Sequence, residues 1–169
     1  HLLFKHAART IAEASGMAPT FMAAPMTGVG SGCHIHLSLI GNGIPLFAET
    51  DGKMPELARY AIAGLLDVLP HLALLYAPTV NSYKRLVPGT FAPVNFTWGR
   101  DNRTCGFRVV GDGPAKRVET RIPGGDVNPY LALAALIAAG LYGLEHELEL
   151  PAALEGNAYE SDAKRFPST

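Results

Sequence analysis

The chain has 169 residues and a mass of 17.9 kDa, enough for one compact domain that buries a core without a disulfide staple. Lys and Arg number 14 against 15 Asp and Glu, so the net charge of −1 lacks the basic excess that holds a phosphate backbone, which argues against a nucleic-acid partner. Hydrophobic residues make up 48% and charged residues only 17%, below the usual quarter, so part of an apolar surface is expected to meet another subunit or a further domain.

Leu2, Leu3, Ala7, Ile11 and Ala14 recur at helical spacing, and Gly16 stands where a helix stops, which predicts a helix over residues 1 to 15. Its first residues carry that spacing with no N-cap before them, as expected of a piece of a longer protein. Thr20 to Ala24 is short and apolar enough for a strand. Gly28, Gly30 and Gly32 then make a loop, and Cys33 to Ile40 and Ile44 to Phe47 form a hairpin about Asn42-Gly43, a dipeptide suited to a tight turn. Met54 to Leu75 is rich in Leu, Ala and Ile and contains Pro70, which predicts two abutting helices. Thr79 to Ala92 shows little periodicity and reads as a functional loop. Three strands are expected at Val94 to Trp98, Cys105 to Val110 and Arg117 to Ile122. Asn128 before Pro129 is a strong helix start, and that helix runs to about Glu147. Strands in the middle with helices on either side give an α+β fold, an antiparallel-rich sheet covered by helices.

Cys33 and Cys105 allow one bridge at most, and both fall in expected strands, so reduced thiols and a cytoplasmic setting are expected. The longest wholly apolar run, Leu131 to Leu144, is shorter than the roughly 20 residues of a membrane span. Neither a membrane partner nor a secretory signal is expected.

His34, His36 and Ser38 alternate along one strand, so two imidazoles and a hydroxyl share a face. That pattern also suits a plain solvent-facing side, but the preceding Gly28-Val29-Gly30-Ser31-Gly32 lets backbone amides approach an anion. Arg117, Glu119 and Arg121 repeat the arrangement with one carboxylate between two guanidiniums, either an ion-paired sheet surface or a site. Arg85, Arg100, Arg103 and Arg108 add cations nearby. Planar donors around one carboxylate suit phosphoryl transfer, where arginines neutralise charge and a carboxylate helps to hold a divalent metal.

Gly30-Ser31-Gly32-Cys33-His34-Ile35-His36-Leu37-Ser38, Asn81-Ser82-Tyr83-Lys84-Arg85-Leu86-Val87-Pro88-Gly89 and Arg117-Val118-Glu119-Thr120-Arg121, followed by Asn128-Pro129-Tyr130-Leu131, resemble active-site motifs of the glutamine synthetase family, in family order. The resemblance implies an ATP-dependent ligase that makes γ-glutamyl phosphate and lets an amine displace the phosphate. It places His34 and Glu119 at metal-ligating positions for Mg²⁺ or Mn²⁺, and His36, Ser38, Arg108 and Arg117 at nucleotide or phosphate contacts. Arg85 and Arg121 match the arginines that hold the glutamate carboxylate and the transferring phosphate. Arg103 matches one that neutralises the transition state, and Gly30 a glycine whose backbone meets glutamate. It further implies that residues 1–169 are the C-terminal portion of a catalytic domain, with an upstream half and an N-terminal β-domain lying outside them. Such proteins assemble as homo-oligomeric rings, and the portion alone is expected to be inactive.

Ammonia-using members commonly read Pro-Gly-Tyr-Glu-Ala-Pro after the arginine loop, and the glutamate takes the ammonium proton. Here the run is Pro88-Gly89-Thr90-Phe91-Ala92-Pro93, and phenylalanine accepts no proton. Val29 stands near an asparagine that usually contacts glutamate, and Ala24 replaces a frequent lysine. Those two changes weaken contacts on the glutamate side, while Phe91 together with Trp98 to Cys105 and Pro123-Gly124-Gly125-Asp126 resembles the γ-glutamyl-polyamine and related γ-glutamyl-amide synthetases. Phe91 is then a substrate-binding residue, an apolar wall for a longer amine. The alternatives are that Phe91 packs the loop in a glutamine synthetase using ammonia, or that the chain is a non-catalytic member.

Overall fold

The computed structural model describes residues 1–167 and is α+β. Helix α1 (Leu2–Ala14) ends as expected, with Gly16 left-handed at φ 70°. Strand β1 (Ile35–Leu37) is followed by β2 (Ile40–Gly41) and β3 (Ile44–Pro45). Helix α2 (Glu56–Val68) abuts a 3₁₀ helix (Leu69–Leu75) at Pro70, and α3 is Val80–Arg85. Strands β4 (Trp98–Arg100), β5 (Phe107–Val110) and β6 (Arg117–Thr120) precede α4 (Pro129–Glu145) and a last 3₁₀ turn (Ala158–Glu160). The main sheet has the order β1-β6-β5-β4, antiparallel except for the parallel β4–β5 pair.

Alternation along the strands gives this sheet two chemically different faces. Val109 lies opposite Val118, and Phe107 opposite Thr120, on the side that joins the core. Arg108 lies opposite Glu119, and Glu119 opposite His36, on the other. The core continues between α2 and α4, where Ala58, Ala61, Ile62 and Leu65 are buried together with Ala132, Ala135, Leu136 and Ala139. Tyr76, fully buried, donates to the Ala132 carbonyl at 2.8 Å, and burial pushes its phenol up. Glu56–Leu75 is by length and composition able to cross a bilayer, but Pro70 divides it and α2 buries one face in the core. Cys33 and Cys105 are both free.

Several boundaries depart from expectation. Thr20 to Ala24 is not a strand, because the amide of Asn81 takes both the Ala24 N–H (3.0 Å) and its carbonyl (2.8 Å). The run from Cys33 splits: β1 pairs with β6, and the Asn42-Gly43 turn, left-handed at both residues, joins β2 and β3 in a separate two-stranded sheet. The expected loop Thr79 to Ala92 begins with α3, capped reciprocally by Thr79 and Ser82 and too short for periodicity to reveal. The strand expected at Val94 to Trp98 instead starts at Trp98, since Val94 accepts from the Phe166 N–H at 2.9 Å and Asn95 bridges to Arg165. Strands β5 and β6 are shorter than expected at one end each, while α4 begins under the Asn128 cap as expected.

Candidate active site

Glu119 stands at the centre of the sheet's polar face and is itself buried. Its Oε1 lies 3.0 Å from His34 Nδ1 and 3.6 Å from His36 Nε2. Arg108 Nη1 (3.1 Å) and Arg121 Nη1 (3.0 Å) both donate to its Oε2. Burial pushes this carboxyl up, and the hydrogen bonds from the two guanidiniums more than reverse the effect, holding it at about 2. Burial and the Arg121 cation pull His34 down against the opposing pull of Glu119, so its imidazole is neutral at pH 7 and keeps a lone pair.

His34 Nδ1 and Glu119 Oε1 share a hydrogen bond at 3.0 Å. Neighbouring ligands of an octahedral ion with bonds of about 2.1 Å stand about 3 Å apart, so the same spacing fits a divalent ion in place of the bridging proton. Among the described residues no third His, Cys, Asp or Glu joins them as a ligand group, so further ligands would come from elsewhere.

Arg85, on α3, is only 4% exposed, and its guanidinium donates to the carbonyls of Ile122 (2.9 Å) and Arg121 (3.2 Å). Among the described residues no carboxylate forms an ion pair with it. Burial, then repulsion from Arg121, lowers its pKa to about 10, still a cation at neutral pH. A buried cation hydrogen-bonded to carbonyls, with the field of Asp126 offsetting its charge in part, has the chemistry to hold an anion. Glycine clears its way: a methyl group on Gly32 would stand 2.9 Å from Arg85 Nη2 and 3.2 Å from His34 Nε2, and one on Gly30 3.2 Å from Arg85 Cγ. Arg85 and Gly30 line a cavity of about 700 Å³ whose other walls include Met22, Met26, Val29 and Val87.

The remaining residues singled out from the sequence lie around this centre. Arg117 Nε donates to His36 Nδ1 at 3.0 Å. Ser38 continues the exposed side of the strand beyond His36. Arg103 is exposed and contributes its carbonyl to Arg121 Nε at 3.1 Å, and among the described residues its guanidinium has no partner. Phe91 is 78% exposed with φ 58°, and its carbonyl accepts from Arg121 Nη2 at 3.1 Å. Arg100 is drawn away by an ion pair with Glu49. Sequence reasoning missed Ser82 and Asp126, joined by a 2.6 Å hydrogen bond beside Arg85, and Asp101, which pairs with Arg108. Ser82 lies in a helix too short for periodicity, Asp101 and Asp126 lie in a bend and a turn, and only the fold brings them to the site.

A model of the glutamine synthetase catalytic domain matches residues 1–169. Gamma-glutamylethanolamide synthetase GlnA4 of Streptomyces coelicolor is 52% identical over 170 residues, covering all of this chain and 37% of that protein. Gamma-glutamylputrescine synthetase PuuA of Escherichia coli is 41% identical over 98% of this chain and 36% of its own length. A glutamine synthetase of Pyrococcus horikoshii is 45% identical over 96% of this chain and 37% of its own length. The chain thus spans a little over a third of the length of these relatives.

Proposed function

The chain belongs to the glutamine synthetase family, and from that premise we propose that the protein carrying it is an ATP-dependent ligase joining a small amine to the γ-carboxyl of glutamate. The carrying observation is the buried Arg85, without a carboxylate partner among the described residues, beside a His34–Glu119 pair that fits a divalent ion. This arrangement suits an anionic substrate next to a metal–phosphate centre.

The proposed reaction has two displacements. A γ-carboxylate oxygen of glutamate attacks the γ-phosphorus of ATP, and ADP leaves. The amine nitrogen then attacks the acyl carbon, inorganic phosphate leaves, and the nitrogen sheds one proton. Arg85 binds a carboxylate of glutamate, with Gly30 allowing the close approach. Arg121 and Arg103 offset the charge that grows on the transferred phosphoryl group. His36, Ser38, Arg108 and Arg117 serve the nucleotide side. His34 and Glu119 would hold Mg²⁺ or Mn²⁺, which supplies positive charge at the phosphoryl oxygens when bound.

Phe91 decides the acceptor. It offers no proton acceptor where ammonia chemistry needs one, and its exposed ring suits a carbon chain. Glutamine synthetases stand at comparable identity, so ammonia is the competing acceptor. We further place residues 1–169 as the C-terminal portion of a catalytic domain in a cytoplasmic homo-oligomeric ring, a reading supported by the length of the relatives, the free thiols and the apolar surface. The test is turnover by the full-length protein with glutamate, ATP and a panel of ammonium, ethanolamine, putrescine, spermine and a monoamine. Preference for an organic amine is expected, and equal or better use of ammonium would return the protein to the glutamine synthetases proper.

A further inference from the structure

We propose that Tyr159 is a positioning residue for amine transfer, its hydroxyl fixing the Phe91 loop by holding the Ala92 carbonyl. This rests on the reading of that loop as the acceptor wall.

Phe91 is the residue that most needs holding. Its φ of 58° is left-handed, a conformation that is unfavourable for a residue bearing a Cβ, and its exposed ring makes little packing of its own. The conformation persists because the peptide groups on either side of its turn are tied. Arg121 Nη2 donates to the Phe91 carbonyl at 3.1 Å, and Tyr159 Oη donates to the Ala92 carbonyl at 3.1 Å. Upstream, Thr90 Oγ1 reaches the carbonyls of Arg85 (2.9 Å) and Val87 (2.7 Å). The first of these ties is shared, since the same Arg121 guanidinium also serves Glu119 at 3.0 Å. Any anion that draws Arg121 toward the phosphoryl side loosens its hold on the loop. Tyr159 Oη, by contrast, has the Ala92 carbonyl as its one hydrogen-bond partner among the described residues, so this tie is not shared.

The platform beneath Tyr159 is rigid. Its 3₁₀ turn is capped by Asn157, whose Oδ1 accepts from the Tyr159 N–H at 3.1 Å. Ala158 is fully buried, its N–H bound to Thr104 Oγ1 (2.8 Å) and its carbonyl to Asn95 Nδ2 (2.9 Å). Arg165 Nη2 closes the turn on the Tyr159 carbonyl at 2.7 Å. Burial raises the phenol pKa against the fields of Arg121 and Arg85, so the hydroxyl stays a donor throughout the neutral range. The C-terminal segment thereby sets where the Phe91 ring projects, although it contributes no group to the reacting atoms.

The experiment is Tyr159→Phe in the full-length protein, which removes one oxygen and leaves the ring to pack. The expected result is a loss of about 10-fold in kcat/KM for the best amine, the scale of one lost hydrogen bond. The KM values for ATP and glutamate and the melting temperature should stay at wild-type values. Amide exchange at Val87, whose N–H is bonded to the Arg85 carbonyl at 2.9 Å where this loop begins, should accelerate in the substrate-free variant. Parallel losses for ATP, glutamate and amine would overturn the positioning role, as would wild-type amine kinetics with unchanged exchange. A wild-type protein that joins no amine to glutamate would overturn the ligase reading instead, and the exchange rates would then still decide whether Tyr159 ties the loop.

Discussion

Glu119 shows how one side chain acquires opposite partners on its two oxygens, imidazoles on Oε1 and guanidiniums on Oε2. The cations keep it ionised and the neutral His34 keeps a lone pair, which is the state a divalent ion requires. In the full-length protein, His34→Ala or Glu119→Ala should weaken Mn²⁺ binding about 10-fold or more, roughly 1.4 kcal/mol. Metal titrations matching wild type for both variants would remove them from the ligand set. Phe91 carries the second prediction at this scale. Phe91→Glu should raise kcat/KM for ammonium relative to the best diamine by about 10²-fold, the low end of what a positioned general base contributes. An unchanged ratio in steady-state kinetics would mean that Phe91 does not select the acceptor.

At the scale of elements, helices α2 and α4 meet at two glycines. A methyl group on Gly143 would stand 2.1 Å from the Tyr60 carbonyl, and one on Gly64 2.1 Å from the Ala139 carbonyl. Either alanine would force the helices apart along the core, so Gly143→Ala should cost about 1–3 kcal/mol, read as a lower melting temperature with the active-site residues untouched. A second junction lies at Glu49, just after the β2–β3 hairpin, which pairs with Arg100 of β4 and with Lys116 at 3.3 Å. Burial pushes the Glu49 carboxyl up, and the hydrogen bonds from Arg100 and Lys116 outweigh it, leaving it below the ordinary value of 4.5. A carboxyl lowered by folding contributes stability above that ordinary value and loses it as pH falls below. The melting-temperature gap between wild type and Glu49→Gln should therefore be open at pH 7 and narrow towards pH 3. A gap independent of pH would mean that the pairing contributes nothing.

Over the whole molecule the apolar excess is found on the surface. No residue of α1 is buried, and Leu3, Phe4 and Ile11 are exposed on it. Leu133, Ile137 and Leu141 make an exposed row on α4. Polypeptide 1–169 on its own should show no phosphate release dependent on both glutamate and an amine, because on the proposed reading it would supply only His34 and Glu119 to the metal and only part of each substrate site. Ligation above background by the purified polypeptide would overturn this.

Local chemistry made part of this legible in the sequence. The Asn128–Pro129 start of α4, the Asn42-Gly43 turn and the break at Pro70 each depend on neighbouring residues, and each stands where the sequence put it. Period-2 alternation likewise announced that His34 and His36 would share a face, and that Glu119 and Arg121 would. What brought those faces together was the antiparallel register of β1 with β6, a long-range pairing that no local pattern encodes. The same limit hid the rest. Residues 20 to 24 look like a strand until Asn81, far along the chain, takes the N–H and carbonyl of Ala24, and Val94 and Asn95 are claimed by Phe166 and Arg165. Residue types and their spacing determined which side chains could do the chemistry. Tertiary structure alone decided that Arg85 would be buried without a carboxylate partner among the described residues, and that Tyr159 would reach the Ala92 carbonyl, because burial and long-range hydrogen bonding are settled only once distant segments compete for the same backbone groups.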